Sequence, residues 1–336
     1  MDEKYMKMCI DLASKGFPKA MPNPLVGCII VYRDKIIGKG YHQVYGENHA
    51  EVNAINSVED KSLLNNSTLY VTLEPCAHFG KTPPCANLIV QSKIPRVVIG
   101  SLDTFSEVNG KGIEALREAG VTVKTSVLED ECRALNKRFF TFHEKKRPYI
   151  ILKWAKSSDG LIAPKNQTEP FWMTGKESKK LVHQWRGEET AILVGKNTVI
   201  KDNPLLTTRE IKGDNPIRIL IDKNLSLATN YAVFNNEATT LVVNESKESQ
   251  RHVKVDFNSF FPSLMKALHQ RGIQSLIVEG GAITLNSFIA SNYWDEARVF
   301  TSKKILGNGI QSSVIELDIN KNIFIDDDKL DYYYNI

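Results

Sequence analysis

The sequence predicts an α/β protein of two domains, each a sheet layered with helices. Three observations carry this expectation. At 336 residues the chain is long enough for two domains of ordinary size. Between residues 1 and 145, apolar runs of strand length alternate with segments whose apolar residues recur at helical spacing. The alternation starts afresh at Tyr149, directly after the helix-stopping Pro148. Domains are therefore expected at 1–145 and 148–336, the first around a largely parallel sheet.

The opening segment puts Met6, Cys9, Ile10 and Ala13 on one helical face. VGCIIVY and KIIGKGY follow as strands joined by a turn at Arg33-Asp34. HAEVNAINSV reads as a helix, STLYVTL as an apolar strand and CANLIVQSK as a second helix. RVVIGSLD is then a strand, GIEALREAG a helix closed by Gly120, and VTVKTSV a further strand. The charged amphipathic stretch EDECRALNKRFFTFHEKK reads as one helix that Pro148 stops. Beyond it, YIILKWA, TAILVG, IRILID, TTLVVN and SLIVEGG read as strands, interleaved with helical KKLVHQWRG and FPSLMKALHQRG.

Composition narrows the class. Hydrophobic residues at 42% and charged residues at 24% are ordinary globular values, and no stretch approaches the roughly 20 apolar residues of a membrane helix. The N-terminus, MDEKYMKMCIDLASKG, lacks the pattern of a secretory signal, so a cytoplasmic location is expected. Five cysteines, an odd count, argue against a disulfide framework and for thiols that are buried, metal-bound or catalytic. A net charge of +4, dispersed along the chain, argues against a nucleic-acid surface and is compatible with a small anionic ligand.

The chemistry concentrates in HAE at 49 to 51 and TLEPCAHFGKTPPC at 72 to 85. His49 and Glu51 open a predicted helix; Cys76 follows a strand and Cys85 opens the next helix. One imidazole and two thiolates suit Zn²⁺ and leave a fourth position for water, although another zinc-like divalent ion remains open. Helix N-termini favour the thiolate form. Glu51, two residues from His49, is placed to carry protons without being a ligand. Nucleobase deaminases combine His-x-Glu with Pro-Cys-x-x-Cys; here eight residues separate the cysteines, and the longer loop projects His78 and Lys81 towards the metal's ligand. Cys9, Cys28 and Cys132 have no such partners and are expected to be structural.

MPNPLVGCIIV, HAEVNAI, TLEPCAHFGKTPPC and NGKGI together resemble the deaminase half of the bifunctional deaminase–reductases of riboflavin biosynthesis, members of the cytidine-deaminase-like superfamily. The resemblance implies hydrolysis of the 2-amino group of a diaminopyrimidinone ribosylamine 5′-phosphate. It also implies that Asn23 meets the pyrimidine, and that His42, His78, Lys81 and Asp103 line the ribose-phosphate side. The family continues Asp-Pro-Asn-Pro where this chain runs Asp103-Thr104-Phe105-Ser106.

KWAKSSDGLIA, WMTGKES, WRGEETAILVGKNTVIKDNPLLTTR and VEGGAITLNSF resemble the reductase half of the same family, from residue 148 to about 310. That half has a dihydrofolate-reductase-like fold and uses NADPH. The resemblance implies substrate contacts at Lys153, Arg186, Leu206, Arg209 and Glu279. Cofactor contacts are implied at Ala155, Trp172, Thr198, Asp202, Gly281, Ala282, Ile283, Thr284, Leu285, Asn286 and Ser287. Either Glu279 or Asp202 could protonate the sugar. A homo-oligomer, dimer or tetramer, is expected, with no nucleic-acid or membrane partner. A deaminase whose C-terminal domain serves only dimerisation, an editing protein that flips a base into the zinc pocket, and a purely structural zinc module remain as alternatives.

Overall fold

The computed structural model describes residues 1–77, 84–104, 110–165 and 171–335. Helix α1 (Asp2–Ala13) precedes a hairpin of β1 (Gly27–Tyr32) and β2 (Lys35–Tyr41), with Arg33 and Asp34 at φ 46° and 61° in its turn. Positive φ at both turn residues matches the twist of the flanking strands. There follow α2 (Ala50–Asn56), β3 (Thr68–Leu73), α3 (Cys85–Gln91), β4 (Arg96–Ser101), α4 (Lys111–Glu118) and β5 (Thr122–Lys124). The sheet runs β2-β1-β3-β4-β5. Only β3, β4 and β5 are parallel; β1 is antiparallel to both of its neighbours, so the sheet is mixed rather than largely parallel. The cause is connection length: a two-residue turn joins antiparallel strands only, whereas β3-α3-β4 and β4-α4-β5 have helices as crossovers.

Alternate residues of β1 divide between two cores. Cys28 and Ile30 pack with Ala54, Ile89 and Leu116 of α2, α3 and α4. Ile29 and Val31 pack with Tyr5, Met6 and Cys9 of α1. Both faces being covered, the central strands are mostly apolar and buried, and polar groups gather where helices start at the strand ends.

The expected single helix near 129–146 is two, α5 (Glu129–Leu135) and α6 (Lys137–Glu144). Asn136 breaks it. Its buried amide accepts the Leu25 N–H at 2.7 Å and donates to the Leu25 carbonyl at 2.9 Å, pairing with that backbone as a strand would. This holds the segment carrying Asn23.

The chain divides into units Met1–Lys145 and Lys146–Ile336. The second contains β6 (Tyr149–Lys156), β7 (Leu161–Pro164), α7 (Lys176–Glu188), β8 (Ala191–Gly195), α8 (Lys196–Asp202), β9 (Ile217–Ile221), β10 (Thr240–Asn244) and β11 (His252–Lys254). It continues through α9 (Phe260–Gln270), β12 (Ser275–Val278), α10 (Ala282–Ala290), β13 (Glu296–Thr301), β14 (Gly309–Gln311), β15 (Lys321–Ile325) and β16 (Asp328–Tyr334). The main sheet runs β11-β10-β9-β8-β12-β6-β13-β16-β15, with β7 and β14 paired apart from it. It is parallel from β11 to β13 and antiparallel only at β16 and β15. The terminal hairpin also braces a helix: Asp328 Oδ2 accepts the Gly175 N–H and the Ser178 hydroxyl, both at 2.7 Å, and so caps α7.

Candidate active site

In the first unit the parallel strands end where helices begin, and the polar residues gather there. His49 stands at the N-cap of α2, while Cys85 is the first residue of α3. Cys76 lies three residues beyond the end of β3. His49 Nδ1 is 3.3 Å from Cys85 Sγ and 3.6 Å from Cys76 Sγ, and the three ligand atoms lie within 4.8 Å of one another. Bonds of about 2.1 Å to nitrogen and 2.3 Å to sulfur place ligand atoms of a tetrahedral zinc roughly 3.5–3.8 Å apart, so the donor set fits. All five cysteines are free thiols. The Cys85 N–H donates to Cys76 Sγ at 3.3 Å. Hydrogen bonds from the Cys85 thiol and the His49 ring outweigh the cost of burial and hold Cys76 below the usual thiol range. One thiolate is thus favoured by the protein alone.

Glu51 is 3% exposed. Burial pushes its carboxyl up to about 7, the negative charge of Cys76 adds to the rise, and His49 opposes it. His42 lies edge-on to His49, ring centroids 5.6 Å apart. Its Nδ1 faces the Asn48 carbonyl at 3.1 Å, which requires a proton there and leaves Nε2 to accept from the Asn23 amide, also at 3.1 Å. The Asn23 amide is thereby oriented, with its Oδ1 left for another partner. Asp103 is buried two residues beyond the end of β4. His78 and Lys81 lie outside the described residues.

Sequence reasoning passed over Glu74. Its carboxylate accepts backbone N–H groups from Asp103 at 3.3 Å, Gly110 at 3.0 Å, Gly112 at 2.9 Å and Ile113 at 3.3 Å. It therefore caps α4 and anchors the segment carrying Asp103, one residue before Pro75-Cys76. The close approach requires glycine at 112, where a Cβ would fall 1.9 Å from the Pro75 carbonyl oxygen. NGKGI before a helix, with a buried acid upstream, was the available signal.

In the second unit Arg186 of α7 grips Glu279 beyond β12, with Nε to Oε1 and Nη2 to Oε2 both 2.8 Å. Lys153 Nζ of β6 adds a 3.5 Å contact. Burial alone raises the Glu279 carboxyl, but the Arg186 and Lys153 charges outweigh it and bring it down to about 2. Arg186 Nη1 also donates to the Thr207 carbonyl at 3.3 Å, so this guanidinium is largely committed within the protein. Arg209 is more open: its Nη1 donates to Thr207 Oγ1 at 3.2 Å, and its backbone N–H donates to His183 Nδ1 at 3.1 Å. Leu206, between them, is buried with φ 54°.

The expected cofactor residues fall into groups. A Cβ at Gly195 would meet Thr284 Oγ1 at 2.5 Å, so a side chain there would turn that hydroxyl aside, and the Gly195 N–H donates to the Gly280 carbonyl at 3.0 Å. A Cβ at Gly281 would lie 3.3 Å from Thr198 Oγ1. The N-termini of α8 and α10 thus meet over bare backbone, a cradle suited to a phosphate chain. Along α10, Ala282, Asn286 and Ser287 follow the turn, Ile283 is 74% exposed, and Leu285 packs into the core. Asp202 ends α8, and Ala155 lies on β6 beside Phe300 of β13. Trp172 is half exposed, its ring under the Lys179 ammonium at 4.6 Å and its carbonyl accepting from Lys304 Nζ. Among the described residues no helix is long and apolar enough to cross a membrane.

The two units define a zinc-dependent hydrolytic deaminase joined to a reductase of the dihydrofolate-reductase-like class. Residues 1–101 match the cytidine and deoxycytidylate deaminase zinc-binding region, and 148–325 match the RibD C-terminal domain. The chain is 42% identical to the riboflavin biosynthesis protein RibD of Aquifex aeolicus, covering 92% of this chain and 89% of that protein. It is 32% identical to the Escherichia coli protein, covering 91% and 89%. A solved Thermotoga maritima structure, a diaminohydroxyphosphoribosylaminopyrimidine deaminase/5-amino-6-(5-phosphoribosylamino)uracil reductase, is 37% identical, with a TM-score of 0.88 over 100% of this chain and 99% of that one. The chain belongs to the RibD family, the bifunctional deaminase–reductases of riboflavin biosynthesis.

Proposed function

We propose that this protein hydrolytically deaminates 2,5-diamino-6-ribosylamino-4(3H)-pyrimidinone 5′-phosphate and then reduces the ribosyl group with NADPH, giving 5-amino-6-ribitylaminouracil 5′-phosphate. The substrate named for the Thermotoga maritima relative supports the choice. The observation that carries it is the convergence of His49, Cys76 and Cys85 beside the buried Glu51 carboxyl.

His49, Cys76 and Cys85 would hold zinc, whose Lewis acidity would lower the pKa of water from 15.7 towards about 7. Glu51 then does the proton work: it takes a proton from the attacking water, gives it to the ring nitrogen beside the amino-bearing carbon, and later assists ammonia's departure. A carboxyl near neutrality gives and takes protons with little bias, and Glu51 lies there. Asn23, oriented by His42, presents Oδ1 to the pyrimidine. Asp103, His78 and Lys81 serve the ribose-phosphate side.

Thr198, Asp202 and the Gly281–Ser287 turn, with Trp172 and Ala155, would hold NADPH, which would supply the hydride needed at C1′. Opening the sugar also requires a proton on the ring oxygen. A carboxylate held at about 2 has none to give at neutral pH, which removes Glu279 as donor and leaves it as the fixed charge that orients Lys153. The Lys153 ammonium is the donor, burial lowering its pKa against the pull of Glu279. Arg209 takes the 5′-phosphate, because its guanidinium is less committed than that of Arg186. The protein acts in the cytoplasm as a homo-oligomer. Supplying the diaminopyrimidine nucleotide to the zinc-loaded protein should release ammonia, followed by oxidation of added NADPH; ammonia release without NADPH oxidation would reduce the second unit to a scaffold.

A further inference from the structure

His183 lies in the middle of α7, 1% exposed, three residues before Arg186. It is an imidazole buried in a basic neighbourhood, with the charges of Arg186 and Arg209 acting on it alongside those of Glu210 and Glu279. Only one of its ring nitrogens has a partner. Nδ1 accepts the Arg209 backbone N–H at 3.1 Å, which fixes the proton on Nε2, and Nε2 is buried without a hydrogen-bond partner. An unsatisfied buried donor is costly and calls for an explanation. Packing alone would be met by leucine. What leucine lacks is the acceptor for Arg209.

We propose that His183 is a positioning residue of the reductase site, acting through Arg209: by accepting that backbone N–H it sets the direction from which the Arg209 guanidinium reaches the substrate's 5′-phosphate. The inference rests on the reading of Arg209 as the phosphate ligand. The neighbouring backbone is held in the same manner, Asn215 Oδ1 accepting the Thr208 N–H at 2.8 Å and the Thr207 carbonyl accepting from Arg186. His183 supplies the anchor nearest the functional side chain. Burial and the adjacent arginines lower its pKa to about 4, so Nδ1 keeps its lone pair over the neutral range.

Two substitutions of similar polarity separate this role from a packing role. Asparagine places its side-chain oxygen where Nδ1 lies, whereas glutamine carries its polar group out towards Nε2. In the full-length protein, His183→Gln should raise the reductase KM for the phosphorylated deaminated intermediate about tenfold, the loss of one hydrogen bond to a positioned cation. Its kcat should stay within about twofold, and the KM for the dephosphorylated intermediate should not move. His183→Asn should restore the wild-type KM. In an Arg209→Ala background the two variants should be indistinguishable. Equal effects of Gln and Asn, equal effects on both substrate forms, or a loss confined to kcat would each overturn the proposal. If Arg209→Ala itself does not distinguish phosphorylated from dephosphorylated intermediate, the phosphate reading of Arg209 fails and the inference with it. If Arg209→Ala does distinguish them and His183→Gln does not, the inference alone is wrong.

Discussion

Glu51 and Glu279 are the same side chain, both largely removed from water, and they sit on opposite sides of neutrality. Glu51 has two thiols and one imidazole for company, so burial prevails and its carboxyl rises to about 7. Glu279 is gripped in two places by Arg186 and approached by Lys153, so charge prevails and its carboxyl falls to about 2. The difference teaches that residue type does not decide whether a buried acid moves protons. Its nearest cation does. The first unit leaves its glutamate near neutrality, while the second surrounds one with two cations and holds it ionised.

The largest effect expected from this contrast is on turnover. Glu51→Gln should lower the deaminase kcat by about 10³-fold, within the usual range for a lost general acid–base, while metal analysis still finds one zinc per chain. Reduction of the deaminated intermediate should continue at its normal rate, and so should it after chelation of the metal, which stops ammonia release alone. A deaminase loss below tenfold in Glu51→Gln would break the comparison on its first side.

Stability tests the second side. Glu279→Gln leaves the Arg186 guanidinium buried without its counter-charge and should destabilise the second unit by about 3–5 kcal/mol in urea unfolding. Replacing both partners, Glu279→Gln with Arg186→Met, should recover part of that loss. A single substitution that cost nothing would show that the pair is not desolvated.

The two acids should also respond to pH with opposite sign. In the metal-free protein the Glu51 pKa lies above its ordinary 4.5, so its contribution is fully present below pH 4.5 and is lost as pH rises through about 7. The Glu279 pKa lies below 4.5, so its contribution is present above pH 4.5 and is lost as pH falls towards about 2. Each window is worth on the order of 3 kcal/mol. Unfolding free energies measured from pH 3 to pH 8 should show wild type gaining on Glu279→Gln as pH rises to about 4.5, and losing ground to Glu51→Gln as pH rises from about 4.5 through about 7.

The smallest effect lies away from both acids. Asp328→Ala removes the cap from α7 and should cost about 1 kcal/mol. Because α7 carries Arg186, reductase KM should rise modestly while ammonia release is unchanged.

Much of this arrangement was legible in the sequence because it depends on local pattern. The alternation of apolar runs marks β1, β3, β4 and most of the second sheet, and HAE with the two cysteines marks the three donor atoms that the fold brings within 4.8 Å of one another. What was not legible depends on partners distant in sequence. Asn136 sits in a stretch of helical period, and only its pairing with Leu25 shows why the helix breaks there. Asn23 and His42 read as separate ligand contacts, yet their hydrogen bond makes them one unit. Arg186 and Arg209 look equivalent as substrate contacts until Glu279 is seen to occupy the first. β13 and the terminal hairpin went unread: β15 lies at a sheet edge with Phe324 71% exposed, where no burial imposes an alternating pattern.

Glu74 has a consequence for how this protein tolerates change. One carboxylate gathers the N–H groups of Asp103, Gly110, Gly112 and Ile113, and it stands two residues before Cys76 in the chain. The start of α4, Asp103 beyond β4 and the cysteine segment are therefore tied to a single side chain, so a substitution at 74 disturbs all three at once, whereas one on the exposed face of α4 disturbs none of them.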